Sequence, residues 1–389
     1  MRFDSTLYYH VGQAYSWGLL FNEMRETVEL LDQLHFNGVW LAEHHFAWDG
    51  WYRSASNPIL LGAEVARWSD RLRLGQCGLV LPDWHPLRLA EDIAFLDQMT
   101  KGRVDIGIAP GINSRACEQF HPAGDRRDRD RNRALYEESA AIIIKALGSD
   151  VFNHVGDFYR FPAGEWIENN PMAHDPKYHD TNGKITHLGI TPRPYQTPRP
   201  PMWAMSESIE AHEFCAINQI GTMSQSLSNG RIKQNWEHYR QVANRHHNND
   251  LAMGQGLALM RYFYCAETMQ EALDAVRPGY EKLGAWSPGN PLRVRTNSVL
   301  DEEFEDGDEN LSFLDFQIKH DIALIGTPES ISEQIRSLQQ DLNCEHIALF
   351  LNIPNLGIDR VLNSLSLFGT EVMPNFQKES DRSRAGIPL

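Results

Sequence analysis

Short apolar runs alternate with amphipathic stretches almost from end to end of the chain, and this rhythm restricts the fold more than any single motif. The apolar runs predict strands at Leu7 to Tyr9, Gly38 to Ala42, Leu72 to Leu81, Arg103 to Ala109, Pro201 to Met205, Gly221 to Gln225, Gly256 to Cys265 and His346 to Leu351. Between them, helical spacing predicts helices over Asn22 to His35, Pro58 to Ser69, Pro86 to Met99, Arg133 to Leu147, Ile209 to Ile217, Gly230 to His246, Thr268 to Leu283 and Pro328 to Leu342. Thr327-Pro328-Glu329 supplies a cap and then a proline for a first helical turn, and Thr268 precedes Gln270-Glu271 in the same way. Strand then helix, repeated eight times, is the pattern of an α/β protein of the (β/α)8 TIM-barrel type. At 389 residues, 42% of them hydrophobic, the chain suits one such barrel, and a single domain over residues 1–376 is expected.

Two segments break the rhythm. Val151 to Phe161 reads as a β-hairpin that opens a long excursion after strand 4, residues 151–199, whose remainder is rich in Pro, Asn, His and Gly. After strand 7, residues 286–311 hold the acidic run Asp301 to Glu309 and are expected to form a solvated or mobile loop. Residues 377–389 are polar and expected to be a flexible tail.

A net charge of -16 without a long basic segment argues against nucleic acid or an anionic membrane as partner. The cysteines Cys77, Cys117, Cys215, Cys265 and Cys344 are scattered and lack Cys-x-x-Cys spacing, which predicts free thiols in a reducing cytoplasm. No apolar leader follows Met1 and no run approaches ~20 apolar residues, so neither export nor membrane spanning is expected. No His-x-x-x-His or clustered carboxylate pattern points to a metal.

Chemistry is expected where the strand Gly38 to Ala42 runs into Glu43-His44-His45-Phe46. The carboxyl ends of parallel barrel strands carry catalytic groups, and histidine moves protons near neutral pH. Two loop histidines satisfied by backbone hydrogen bonds are the alternative. The aromatics Phe46, Trp48, Trp51 and Tyr52 could wall an apolar pocket or simply cover the core.

Further along come Leu74-Gly75-Gln76-Cys77-Gly78, then His85-Pro86, Ala90 to Arg103, Gly107-Ile108-Ala109-Pro110-Gly111 and Ile325-Gly326-Thr327-Pro328-Glu329. In this order and spacing, with Glu43-His44-His45-Phe46, the chain resembles the bacterial luciferase-like, flavin-dependent monooxygenases from about Phe3 to Phe376. Trp236 to Arg240 and Pro278-Gly279-Tyr280 are similar to the limonene and diketocamphane monooxygenase branch. The resemblance implies a two-component enzyme in which reduced FMN, supplied by a separate NAD(P)H-flavin reductase, reacts with dioxygen to a flavin hydroperoxide that oxygenates a small, mostly apolar ketone, aldehyde or terpene-like substrate. No Gly-x-Gly-x-x-Gly fingerprint follows a strand, which agrees with a separate reductase.

The resemblance also assigns residues. His44 matches the catalytic histidine, which would exchange a proton with, or hydrogen-bond, the reacting oxygen. Cys77 and Gly78 match a small-residue pair beneath the isoalloxazine, joined in some relatives by a non-proline cis peptide, and Ala109 ends the fourth strand among the flavin-binding positions. Arg133 matches an arginine on the FMN phosphate, against the alternative of one more charge on a solvated helix face. Ser206, Glu207 and Ser208 match the flavin-binding segment, where hydroxyls and a helix start can hold an anion.

Two departures stand out. Luciferase has a phosphate-binding arginine just after the fourth strand, where this chain has Pro110, and a tryptophan near Gln225-Ser226 is missing. A deazaflavin-dependent dehydrogenase on the same barrel, or a flavin-binding protein without turnover, are the competing functions. Family likeness further implies a homodimer, with Asn22 to His35 and Pro58 to Trp68 as candidate contact surfaces.

Overall fold

The structure, a computed structural model, describes residues 1–7, 16–46, 55–112, 114–286, 291–351 and 353–377. It divides into two compact units, Met1–Cys77 with Met202–Leu389, and Gly78–Pro201. The first part of the larger unit contains β1 (Arg2–Leu7), α1 (Trp17–Gln33), β2 (Gly38–Leu41), α2 (Pro58–Val65) and β3 (Arg73–Gln76). The smaller unit holds β4 (Leu79–Val80), α3 (Pro86–Met99), β5 (Val104–Ala109), α4 (Ser114–Phe120), α5 (Arg129–Gly148), β6 (His154–Val155) and β7 (Arg160–Phe161). The larger unit resumes with β8 (Met202–Met205), α6 (Ile209–Ile217), β9 (Gly221–Ser224), α7 (Asn229–His247), β10 (Ala258–Cys265) and α8 (Met269–Trp286). It ends with α9 (Pro291–Ser298), α10 (Phe313–Lys319), β11 (Ala323–Gly326), α11 (Pro328–Leu342), β12 (His346–Phe350) and α12 (Ile358–Leu367).

Every pairing among the larger unit's strands is parallel, in the order β8, β9, β10, β12, β1, β2, β3, with β11 added on β10. Alternate strand residues turn to one side and pack as a single cluster: Trp40 and Ala42, Trp203, Met223, Ala258 and Met260, Ala348 and Phe350. The amino-terminal end of this interior is polar, and its centre is a buried carboxylate. Asp4, completely buried, accepts from Trp40 Nε1 at 2.7 Å, His346 Nε2 at 2.8 Å and Arg2 Nη2 at 2.7 Å. Burial alone would raise this carboxyl, but Arg2 and His346 hold it far below the usual carboxylate range. The rings of Trp203 and His346 meet edge to face with centroids 5.1 Å apart.

This network explains why the first strand begins at Arg2 rather than at the predicted Leu7. Asp4, Ser5 and Thr6 hide a strand from a hydrophobic pattern because their polar groups are bonded inside the fold. Strand β11 and helices α4, α9, α10 and α12 were also not predicted, being short or irregular in their apolar spacing. Helix α1 starts at Trp17, five residues before the prediction, because Ser16 caps it by accepting from Leu19 N–H.

The hairpin forms as expected, β6 pairing antiparallel with β7. The Glu138 carboxylate anchors it, accepting from the N–H groups of Asp157, Phe158 and Tyr159 and from His154 Nε2. The acidic run is largely solvated as expected, with Asp301, Glu302, Glu305, Asp306 and Glu309 exposed, but it is tied down at Asp308. Asp308 is 1% exposed and accepts from Lys319 Nζ at 2.7 Å and His320 Nε2 at 2.8 Å, while Arg295 donates to the carbonyls of Asp308, Glu309 and Leu311. The anchoring at Asp308 left no trace in the charge pattern because the partners lie outside the run. All five cysteines are free. Among the described residues no helix is long and apolar enough to cross a membrane. The predicted tail lies outside the described residues from 378 onward.

Candidate active site

At the carboxyl end of β2 the chain leaves the ladder after Leu41, whose carbonyl accepts from Cys77 N–H at 2.7 Å and so draws the turn after β3 alongside. His44 is half-buried and its backbone N–H donates to Ala55 O at 3.0 Å. Glu43 is buried, and its Oε1 lies 2.7 Å from His45 Nε2. The sequence reading singled out His44; the structure adds His45 as the imidazole with a carboxylate partner. Glu43 and His45 are two residues apart, and that spacing in extended chain puts side chains on one side, a signal already present in the motif. Phe46 is 38% exposed with a left-handed φ of 63°. Trp48, Trp51 and Tyr52 lie outside the described residues.

Cys77, Met205 and Tyr262 are the partly buried members that pack on the interior cluster. Burial pushes the Cys77 thiol up to about 12, so it stays protonated at neutral pH. In the smaller unit, Gly78 lies against the end of β5: a Cβ there would sit 2.9 Å from Ile108 C and 3.2 Å from Ala109 N. Gly78 and Ala109 are therefore brought together, with Val80 paired to Ala109. The cis peptides among the described residues are Phe161-Pro162, Thr191-Pro192 and Thr197-Pro198; the Cys77-Gly78 bond is not one of them.

Ser206, Glu207 and Ser208 are held at the start of α6 by a residue the sequence reading missed. His212, fully buried, has Nδ1 at 2.8 Å from Ser208 O and 3.2 Å from Ser206 Oγ. A carbonyl only accepts, so Nδ1 carries the proton and donates. His212 Nε2 is then an enclosed lone pair that meets no hydrogen-bond partner among the described residues. Burial pushes this imidazole down to about 4, which keeps it neutral. Ser208 caps α6 by accepting from Ala211 N–H at 3.3 Å. Glu207 has an exposed side chain that protein nonetheless crowds; this desolvation raises its carboxyl above the ordinary range despite the N–H of Ser226 donating at 2.8 Å. Arg261, buried on β10, donates to Gln225 O at 2.8 Å and fixes the end of β9 beside Glu207's partner. Its guanidinium, pushed down by burial to about 10, still carries its charge at neutral pH.

Arg133 stands on the exposed side of α5, paired to Glu137 Oε1 at 2.6 Å. Arg127 is likewise spent on Asp125 and Glu118. Arg126 differs: it is half-buried and donates to Asn132 Oδ1 at 2.9 Å.

The sequence profile described as luciferase-like monooxygenase matches residues 1–342. The chain belongs to that family. It is accordingly an enzyme, a flavin-dependent monooxygenase. The chain is 26% identical over 377 residues to the oxygenase component of flavin-dependent trigonelline monooxygenase from Acinetobacter baylyi, covering 95% of this chain and 93% of that one. Against the alkanal monooxygenase alpha chain of Photorhabdus luminescens it is 25% identical, covering 98% and 99%. Among solved structures, the oxygenating constituent of 3,6-diketocamphane monooxygenase from Pseudomonas putida, in complex with FMN, superposes with a TM-score of 0.74 at 20% identity over 97% of this chain and 99% of that one. Such likeness establishes the fold, a (β/α)8 TIM barrel.

Proposed function

We propose that this protein is the oxygenase component of a two-component system, using reduced FMN from a separate NAD(P)H-flavin reductase to place one atom of dioxygen on a small, mostly apolar organic substrate. The observation that carries this reading is the pairing of buried Glu43 with His45, next to His44, at the carboxyl end of a parallel strand, in a family of flavin monooxygenases. The donor set fits a flavin phosphate. Because His212 Nδ1–H already donates toward Ser206 Oγ, the Ser206 hydroxyl proton has no acceptor recorded among the described residues and is available to an anion.

Reduced FMN, when bound, supplies two electrons, so that one oxygen atom enters the substrate and the other leaves as water. His44 exchanges a proton with the reacting oxygen, and the Glu43 carboxylate orients His45 as a second proton-holding group. Cys77 would offer a small, protonated side chain to the flavin. Ser206 and the backbone of Glu207 and Ser208 would hold the phosphate. Met205, Tyr262 and Phe350 offer apolar surface that favours a ketone, aldehyde or terpene-like substrate.

A homodimer in the cytoplasm completes the proposal. Trp17, Leu19 and Phe21 on α1 and Leu60 on α2, at 40%, 47%, 41% and 70% exposure, supply apolar surface for a second copy. Sedimentation at micromolar concentration should give twice the chain mass.

The test is rapid mixing of protein carrying photoreduced FMN with dioxygen. A transient absorbance distinct from reduced and oxidised flavin, long-lived in wild type and short-lived in His44→Ala, is the expected result. Immediate reoxidation in both proteins would overturn the reading.

A further inference from the structure

A cavity of the larger unit, about 860 Å³ in volume, is lined by none of the residues assigned above to the flavin or to proton transfer. It opens beside the carboxyl end of β10, between the first turns of α8 and one side of α12. Helix α12 is fastened to the strand behind it. Cys265 N–H donates to Ser364 Oγ at 2.7 Å, and the rings of Phe263 and Phe368 meet edge to face with centroids 5.1 Å apart. The wall of the cavity is therefore packed barrel rather than loose loop.

This wall carries charges that the fold leaves unpaired. Arg360, exposed on α12, has no carboxylate within ion-pair distance among the described residues. Glu267 follows β10, and Glu271 and Asp274, three residues apart, share a face of α8; all three are exposed. Asp274 accepts from Gln270 Nε2 at 2.9 Å, while Glu267 and Glu271 meet no cation among the described residues. Solvated charges alone are ordinary on a surface, but Tyr264 is not. It is 6% exposed, and its hydroxyl meets no hydrogen-bond partner among the described residues. Unlike the Tyr280 hydroxyl, which is sealed in the core, this one stays open, and it opens on the cavity. Burial raises the phenol above its ordinary value, Arg360 draws it down and Glu271 pushes it up, so the hydroxyl lies within reach of both charges.

At neutral pH this phenol keeps its proton and donates. A phenol beside a guanidinium suits a carboxylate, and the neighbouring acids suit ammonium groups. Carboxylates outnumber the guanidinium, so the ligand that balances the wall carries more positive than negative charge. The three acids do not converge within ligand distance of one metal ion. We infer that this cavity binds a basic α-amino acid, with its carboxylate on Arg360 and the Tyr264 hydroxyl and its cationic groups among Glu267, Glu271 and Asp274.

The experiment is calorimetric titration of the full chain, Arg360→Gln, Tyr264→Phe and Glu271→Gln with L-lysine and with 1,5-diaminopentane, which keeps the two ammonium groups and lacks the carboxylate. Wild type is expected to bind L-lysine about 10-fold more tightly than the diamine. Arg360→Gln should weaken L-lysine about 10-fold and leave the diamine unchanged or more tightly bound, because the wall becomes more acidic. Tyr264→Phe should weaken L-lysine about threefold and spare the diamine, whereas Glu271→Gln should weaken both. Arg360 and Glu271 are exposed and Tyr264→Phe breaks no hydrogen bond within the protein, so each melting temperature should match wild type. If wild type binds the two probes equally, or Arg360→Gln keeps the preference for L-lysine, the attraction is that of an acidic surface for any cation and the inference fails. Absence of L-lysine binding at about 10 mM overturns it as well.

Discussion

Glu43 Oε1 and His45 Nε2 lie 2.7 Å apart, the carboxylate side chain wholly buried and the imidazole 14% exposed. A buried carboxylate at that distance orients the ring and favours a proton on Nε2. Glu43→Gln preserves the volume and removes the charge. Product formed per reduced flavin oxidised should fall about 10-fold or more, while FMN affinity stays within about twofold. Unchanged product yield would mean that His45 takes no part in the chemistry.

Gly75 on β3 has a different constraint. A Cβ at that position would stand 2.3 Å from Trp40 Cε3 and 2.5 Å from Cδ2, and Trp40 is fully buried with its Nε1 committed to Asp4. Neither ring nor strand can yield without breaking the network at the base of the interior. Gly75→Ala should therefore cost about 3 kcal/mol in chemical denaturation, at the upper end of overpacking effects. In a Trp40→Leu background the same substitution should cost clearly less, because the two side chains compete for one space. Equal costs in both backgrounds would contradict the packing argument.

His212 makes stability depend on pH. The folded protein holds this imidazole neutral down to about 4, whereas the unfolded chain takes up its proton near the ordinary value of 6.5. Between these values the unfolded state binds more protons, so stability falls as the pH is lowered from about 6.5 to about 4 and the loss is complete below that. The amount is about 3 kcal/mol as an order of magnitude. His212→Asn retains an N–H for Ser208 O but cannot titrate. The wild-type minus variant stability difference should shift by that amount between pH 7 and pH 4; a difference independent of pH would show that His212 is not the titrating group.

The fold was legible because a parallel barrel repeats its apolar strand and amphipathic helix, and the periods of two kinds of element survive in sequence. Pro86 to Met99, Ile209 to Ile217 and Pro328 to Leu342 coincide with α3, α6 and α11 because each has a cap or proline at its start. The first strand was misplaced because Asp4 pairs with residues 36 and 342 positions away, and pairing over such distances has no local trace. The site divides the same way. Glu43 to Phe46 is contiguous and stands out as a motif, whereas His212 bonds Ser206 and Ser208 from inside a helix, where no spacing announces it. Side chains that position other side chains have no spacing of their own.

Asp308 decides whether the segment after the seventh barrel strand stays packed. It accepts from Lys319 Nζ, His320 Nε2 and Glu305 N–H at 2.7, 2.8 and 3.0 Å, and although burial works to raise it, these donors hold its carboxyl down at about 2. The unfolded value is near 3.8, so the folded state keeps Asp308 ionised where the unfolded chain would protonate it. The contribution, about 2 kcal/mol, is fully present above the unfolded value and is lost as the pH falls toward 2. Asp308→Asn should lower stability at pH 7 by at least that amount, since Lys319 and His320 lose their anion, and the gap to wild type should narrow when denaturation is repeated at pH 3. Limited proteolysis should also cut near Asp301 to Glu309 faster in the variant at pH 7. Equal stability and equal cleavage at pH 7 would show that the segment is held by Arg295 and its carbonyl contacts without help from Asp308.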